Sequence, residues 1–213
     1  MVYLSKKLKK YLRGKEVLLD VGCGNGNYLI DENRSEIAWA VGIDANKNSV
    51  KKNQCLDEIV ISDIENLPFK DNSFDIVLSL WVLEHLGNPK LAFSEIKRVL
   101  KKGGKFLFVT PNYKFLPLKI GKIKSMNHFL NRLLFGRIEE DVFPTFYRSN
   151  NLSQIKKLVK GKFKIIILKT NYDPSYTSFN SFSFYLTNFI NSVCQTARSN
   201  ITHPHIIGIL EKT

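Results

Sequence analysis

Cysteine, methionine and tryptophan are scarce in this chain: three, two and two residues among 213. The cysteines, Cys23, Cys55 and Cys194, are odd in number and lack metal-ligand spacing. That argues against a disulfide framework and a zinc site, so no metal is expected and a reducing, cytoplasmic compartment is. No apolar run approaches the ~20 residues of a membrane span, and the first residues lack the apolar core of a signal peptide, so an integral membrane protein is not expected. Acidic side chains are few as well, 19 against 32 lysines and arginines, for a formal net charge of +13. Such a balance favours anionic partners such as nucleic acid, anionic lipid or a phosphorylated substrate, and it equally describes lysines that only solvate a surface. Internal repeats and disordered linkers are missing too. With 44% hydrophobic residues the chain can bury a sizeable core, and one domain over residues 1–213 is expected.

What is present is organised around VLLDVGCGNGN, Val17 to Asn27. The apolar run Val17, Leu18, Leu19 and Val21 predicts a buried strand that stops at Gly22, Gly24 and Gly26. Glycines at such a turn let backbone N–H groups approach a ligand, and a following helix would point its positive end at the same place. The stretch therefore reads as a nucleotide-type site. A dinucleotide fingerprint would need its third glycine at position 27, which is Asn27, so a nicotinamide or flavin dinucleotide fits the spacing poorly. Asp20 precedes the turn, giving D-x-G-x-G-x-G. A second apolar run, Ala38 to Ile43, ends in Asp44, where a carboxylate can accept from both hydroxyls of a ribose.

The blocks SDIENLPFKDNSFDIVLSLWVLEHL and EIKRVLKKGGKFLFVTPN follow in order. Together with the glycine block they make roughly the first half of the chain resemble the class I S-adenosylmethionine-dependent methyltransferases, in the branch of the ubiquinone- and menaquinone-biosynthesis enzymes. The resemblance implies an α/β, doubly wound, mostly parallel seven-stranded sheet with helices on both faces, a Rossmann-like methyltransferase fold whose last strand is antiparallel. It also implies S-adenosylmethionine as cofactor. Asp20 would serve the methionine end, Gly22, Cys23, Gly24 and Gly26 the close backbone approach, and Asp44 and Ala45 the ribose. Asp63 would accept from the adenine amino group, with the Ile64 N–H on a ring nitrogen. A lone Asp63 would otherwise read as a turn former. A leading helix often closes over the methionine end in this family, and Tyr11 is the candidate for that contact.

Taken in order, residues 2 to 13 form an amphipathic pattern ending at Gly14, either packed on the sheet with a solvated lysine face or touching a membrane or nucleic acid. Further along, a short helix after the glycine turn, a helix near Lys47 to Gln54, the strand EIVIS and the strand Phe74 to Leu80 are expected. Asn88-Pro89 opens a helix that Gly103-Gly104 would close, before a strand from Lys105 to Thr110. A helix over Asn150 to Lys160 precedes the strands Phe163 to Leu168 and His205 to Leu210, which the resemblance pairs antiparallel at the sheet edge.

Ligands of open α/β sheets sit beyond the carboxyl ends of the strands, so Ser79, Leu80 and the segment Trp81 to His85 should line the cofactor and open toward the acceptor. SLWVLEHL stands where methyltransferases of exocyclic amines tend to carry an N-P-P-[YF]-like block, which favours an oxygen or carbon nucleophile. His85 is the candidate catalytic base, or a local hydrogen-bonding residue that shapes the site, and Glu84 reads the same way. Residues 112–149 exceed an ordinary crossover and read as an acceptor-binding lid with aromatics at Phe143, Phe146 and Tyr147, or as an interfacial helix on anionic lipid. Residues 172–200 are rich in aromatics, and their stripe is core, a second pocket wall or a partner surface. The expected acceptor is a small, apolar or lipid-linked molecule. An RNA or protein acceptor that uses the basic surface, a non-catalytic cofactor-binding scaffold and a peripheral contact with anionic membrane are the alternatives.

Overall fold

The computed structural model describes residues 2–115, 144–172, 185, 188–189, 191–193 and 202–213. Seven strands form one sheet: β1 Glu16–Val21, β2 Ile37–Asp44, β3 Glu58–Ile61, β4 Phe74–Leu80, β5 Leu100–Pro111, β6 Phe163–Asn171 and β7 His205–Lys212. Their order is β3-β2-β1-β4-β5-β7-β6. The first five run parallel, and β7 is antiparallel to both β5 and β6. The expected fold class is therefore observed, with β7 inserted beside β5 and β6 at the edge. The strand order reverses at β1 and β4, and the crevice at such a switch point is where open α/β sheets hold ligands.

Four α-helices accompany the sheet among the described residues: α1 Val2–Lys9, α2 Tyr28–Asp31, α3 Pro89–Val99 and α4 Leu152–Val159. Asparagine starts three of them, because its side-chain oxygen accepts a first-turn N–H that has no partner within the helix. Asn27 receives Leu29 N, Asn88 receives Leu91 N and Asn151 receives Gln154 N. On one face of the sheet α3 and α4 bury Phe93, Ile96, Ile155 and Val159 against Val77, Phe106 and Phe108. On the other, Leu4, Leu8 and Leu12 pack with Leu29 and Ile30 over Leu18, Leu78 and Leu107. The apolar stripe of the first helix thus faces the sheet and leaves Lys6, Lys9 and Lys10 exposed. No helix among the described residues is long and apolar enough to cross a membrane.

Two expected elements differ. The stretch Lys47 to Gln54 forms only a 3-10 turn at Ser49–Lys52, because asparagine side chains there bond backbone instead of leaving it to a helix: Asn46 accepts from Asn48 N, and Asn53 reaches the glycine turn. Gly103-Gly104 does not close α3, which ends at Val99, and Leu100 already pairs with Phe74. Two backbone amides take the place of the glycine cap, Asn72 N donating to the Arg98 carbonyl at 3.0 Å and Ser73 N to that of Val99 at 2.8 Å, and Lys212 of β7 adds its Nζ 3.3 Å from the Arg98 carbonyl and 2.6 Å from that of Leu100.

The middle of the sheet is closely packed at Gly208, opposite Phe108 on β5. A Cβ at Gly208 would overlap the Phe108 ring, which is itself fully buried against Phe93 and Phe106. Gly208→Ala is therefore expected to cost about 1–3 kcal/mol of stability by overpacking. Urea denaturation of the two proteins checks it.

Candidate functional site

Beyond Val21 the chain folds back against the end of β2. The amides of Gly22 and Cys23 both donate to the Ile43 carbonyl, at 2.8 and 2.9 Å, Gly24 N donates to Asp44 Oδ2 at 2.9 Å, and Gly26 N returns to Cys23 O at 3.1 Å. Most N–H groups of the turn are thus spent on the protein. The helix behind it, α2, has four residues, and its free N–H at Leu29 is taken by Asn27. Several amides of the expected cradle are thus engaged within the protein, and at Gly22 the glycine is also required for space. Gly22 has φ +72, and a Cβ there would overlap Val82 at the end of β4. Only glycine tolerates both conditions.

A cavity of about 690 Å3 opens beside this turn, at the carboxyl ends of β1, β2 and β4. Gly22, Gly24, Asp44 and Ala45 form one side of it, and Asp63 and Ile64 another. Asp44 Oδ1 accepts from Asn46 N at 2.8 Å, so both of its oxygens are anchored while each keeps a second lone pair. Asp63 accepts from Glu65 N at 2.9 Å. It is a turn former and a cavity wall at once, so the two readings of that residue are compatible.

Other candidates lie elsewhere. Asp20 is buried behind the turn. Its Oδ1 accepts from Asn27 Nδ2 at 3.0 Å, and its Oδ2 has no partner. Burial, with a smaller push from Asp44, raises its carboxyl to about 7, against the pull of the Asn27 bond. Cys23 packs its side chain toward Gly42, and burial pushes the thiol up to about 12, so it is no nucleophile. Gly26, Ser79 and Leu80 are not cavity walls, and the Ser79 hydroxyl is buried without a partner. Tyr11 is not brought to the site at all. Its ring lies 5.6 Å from Lys105 Nζ at the amino-terminal end of the parallel part of β5, the opposite end of the sheet from the cavity, because α1 runs down the sheet as its leucine stripe dictates.

The remaining walls come from the segment after β4 and from residues far along the chain. Trp81 has φ +62, a backbone state that bulky residues rarely hold and that costs of order 1–3 kcal/mol. Its amide is tied to Val109 O at 3.0 Å and its ring lies edge-on to His205, centroids 4.8 Å apart. Val82, His85 and Leu86 continue the wall, and Pro144 and Phe146 complete it. This last pair is clasped to the β4 side. His85 Nδ1 lies 2.8 Å from Pro144 O, the Glu84 carbonyl accepts from Phe146 N and Tyr147 N, Ser149 Oγ donates to Leu83 O, and Arg148 bonds the Gly87 carbonyl. The buried Glu84 carboxylate accepts from Thr110 Oγ1 at 3.0 Å, and its Oε1 is 3.9 Å from His85 Nε2. Most of the expected lid, residues 116–143, and most of the aromatic segment, including Phe143 and Phe182, lie outside the described residues. Sequence reasoning missed Asn46, Ser49, Ser62, Glu65, Gly87 and Pro144 as walls. The first four sit within two residues of a named acid or of the turn in the β2–β3 connection, which is the signal that would have found them.

The chain matches the family model described as a methyltransferase domain over residues 19–108. It is 31% identical over 190 residues to a ubiquinone biosynthesis O-methyltransferase of Pelagibacter ubique, covering 82% of this chain and 75% of that protein. An uncharacterised protein of Methanocaldococcus jannaschii is 34% identical over 167 residues, 78% of this chain and 72% of the relative. Among solved structures, an S-adenosylmethionine-dependent methyltransferase of Methanosarcina mazei superposes with a TM-score of 0.62 at 19% identity, covering 97% and 96% of the two chains.

The raised Asp20 carboxyl makes stability depend on pH. Between its ordinary value of about 4 and its folded value of about 7, the native state holds a proton that the unfolded chain has released. The stabilisation of the neutral form is full below about pH 4 and is lost as pH rises through about 7. Asp20→Asn keeps the acceptor for Asn27 and removes the proton, so the variant should gain on the wild type as pH rises from 4.5 to 7.5. Ligand-free urea titrations at the two pH values measure the difference.

Proposed function

The chain belongs to the class I S-adenosylmethionine-dependent methyltransferases, and on that premise we propose that it methylates an oxygen or carbon nucleophile of a small apolar molecule. One observation carries the choice of acceptor. The chain has 32 lysines and arginines, yet among the described residues none lines the cavity, whose charged walls are Asp44, Asp63 and Glu65. Away from these acids the walls are Trp81, Val82, Leu86, Pro144 and Phe146, which suit an uncharged, apolar acceptor rather than a phosphate chain.

The residues also fit the cofactor. Gly22, a cavity wall without a side chain, lets the turn close against Val82, and the cavity is large enough for a nucleoside with its side arm. Asp44 would accept from the ribose hydroxyls and Asp63 from the adenine amino group, with Ile64 N–H on the ring. Asp20, whose buried carboxyl is raised to about 7 behind the turn, would be drawn toward its ionised form by a cationic ligand. When bound, the cofactor supplies a methyl group activated by its sulfonium. The protein's part is then to align the acceptor and exclude water.

In this reading His85, a wall of the cavity, takes a proton from the acceptor. A carbonyl can only accept, so Pro144 O fixes the proton on Nδ1 and leaves Nε2 as the basic nitrogen. Glu84, in contrast, is committed to the clasp.

Transfer of a labelled methyl group from S-adenosylmethionine into cell extract, followed by partition, tests the reading. Label in the organic or aqueous small-molecule fraction is expected. Label confined to acid-precipitable material would replace this acceptor by RNA or protein, which nuclease treatment separates. Asp44→Ala should lose ~1.5–3 kcal/mol of S-adenosylhomocysteine binding in calorimetry. His85→Ala should slow labelling by about a hundredfold or more while leaving that binding unchanged.

A further inference from the structure

We propose that Asn53, in the connection between β2 and β3, is a positioning residue for cofactor binding that acts through the glycine turn. The inference rests on the cofactor reading above. Asn53 is not a cavity wall; it approaches the turn from behind. Its Nδ2 lies 3.3 Å from the Cys23 carbonyl and 3.0 Å from that of Gly24, while its Oδ1 accepts from Cys55 N at 3.2 Å and from the Cys55 thiol at 3.3 Å. Cys55 Sγ in turn receives Asn27 N at 3.4 Å, and Asn27 Nδ2 donates to Asp20. A continuous polar band therefore runs around the back of the turn, from the end of β1 to its apex.

The peptide between Cys23 and Gly24 connects this band to the site. Its carbonyl is held jointly by Gly26 N, at 3.1 Å, and by Asn53 Nδ2, which also holds the next carbonyl, and its N–H donates to Asp44 Oδ2. A peptide group is planar, so fixing one end fixes the other. Asn53 thereby sets the direction from which the Asp44 carboxylate is held toward the cavity. A carboxamide suits this position because it offers donors to two carbonyls and an acceptor to Cys55 at once. Aspartate would set acceptor against acceptor, and leucine, of similar size, would take this donor from the Gly24 carbonyl and leave the Cys23 carbonyl with Gly26 N.

Calorimetry with S-adenosylhomocysteine on wild type, Asn53→Asp, Asn53→Leu and Lys212→Met tests the proposal. Lys212→Met removes one donor to the carbonyls at the end of α3 and serves as a destabilised control away from the turn. Both Asn53 variants are expected to bind about tenfold or more weakly with native far-ultraviolet circular dichroism. The control should melt earlier and bind as the wild type does. With extract as acceptor source, the apparent KM for S-adenosylmethionine should rise in the Asn53 variants and the saturated rate should hold. Should Asn53→Leu not fold, the nearly isosteric Asn53→Asp carries the test. Binding within twofold of wild type in Asn53→Asp, or an equal loss in the Lys212→Met control, would overturn the positioning role. Absence of binding in the wild type itself would instead remove the cofactor reading.

Discussion

Everything at the cavity depends on the way the chain leaves β1: the Ile43 carbonyl accepts two consecutive amides, from Gly22 and Cys23, and locks the turn onto the end of β2. With that junction made, Gly24 is delivered to Asp44, and Gly22 is pressed so close to Val82 that no side chain fits. The ends of three neighbouring strands are thereby gathered at the switch point of the sheet. The acids that face the cavity are each anchored by a backbone amide before any ligand arrives, which lowers the ordering cost of binding.

The site is built in two layers of opposite character. On the β2 and β3 side, carboxylates are fixed by short local turns and by the polar band of Asp20, Asn27, Cys55 and Asn53. On the β4 side, an apolar wall is held in place by bonds between residues about sixty positions apart, such as His85 with Pro144 and Leu83 with Ser149. Among the described residues Arg148 is the cation of the β4-side clasp, bonded to the Gly87 carbonyl and 5.3 Å from the centroid of the Phe146 ring, while Lys6 and Lys9 on α1 and Lys156 and Lys157 on α4 face solvent. Asp20 is the costly element. It is a buried carboxyl with one unpartnered oxygen, an arrangement that a folded chain keeps at the expense of stability.

Much of this was legible in the sequence where the signal is local. The strand Phe74 to Leu80 was bounded correctly because a turn precedes it and alternate residues fill the two cores. The Asn88-Pro89 start of α3 follows from capping chemistry alone. What failed was the partner choice of polar groups. Nothing local shows that Lys212 would reach the carbonyls at the end of α3 from the other end of the chain, or that the Asn46 and Asn53 side chains would be used by backbone and so prevent a helix. Tyr11 was misplaced for a related reason: the helix expected over residues 2 to 13 ends at Lys9, and the direction in which it carries the following turn across the sheet is set by long-range packing. Phe146 was expected in the acceptor-binding segment, whereas Pro144 reaches the cavity through a tertiary bond to His85 that no spacing rule announces.

The most direct test of the account is the structure of the protein bound to S-adenosylhomocysteine. The account predicts the nucleoside in the cavity beside the glycine turn, ribose hydroxyls on the Asp44 carboxylate and the adenine amino group on Asp63, with the turn itself unmoved. A nucleoside bound elsewhere, or a ribose that makes no contact with Asp44, would contradict it.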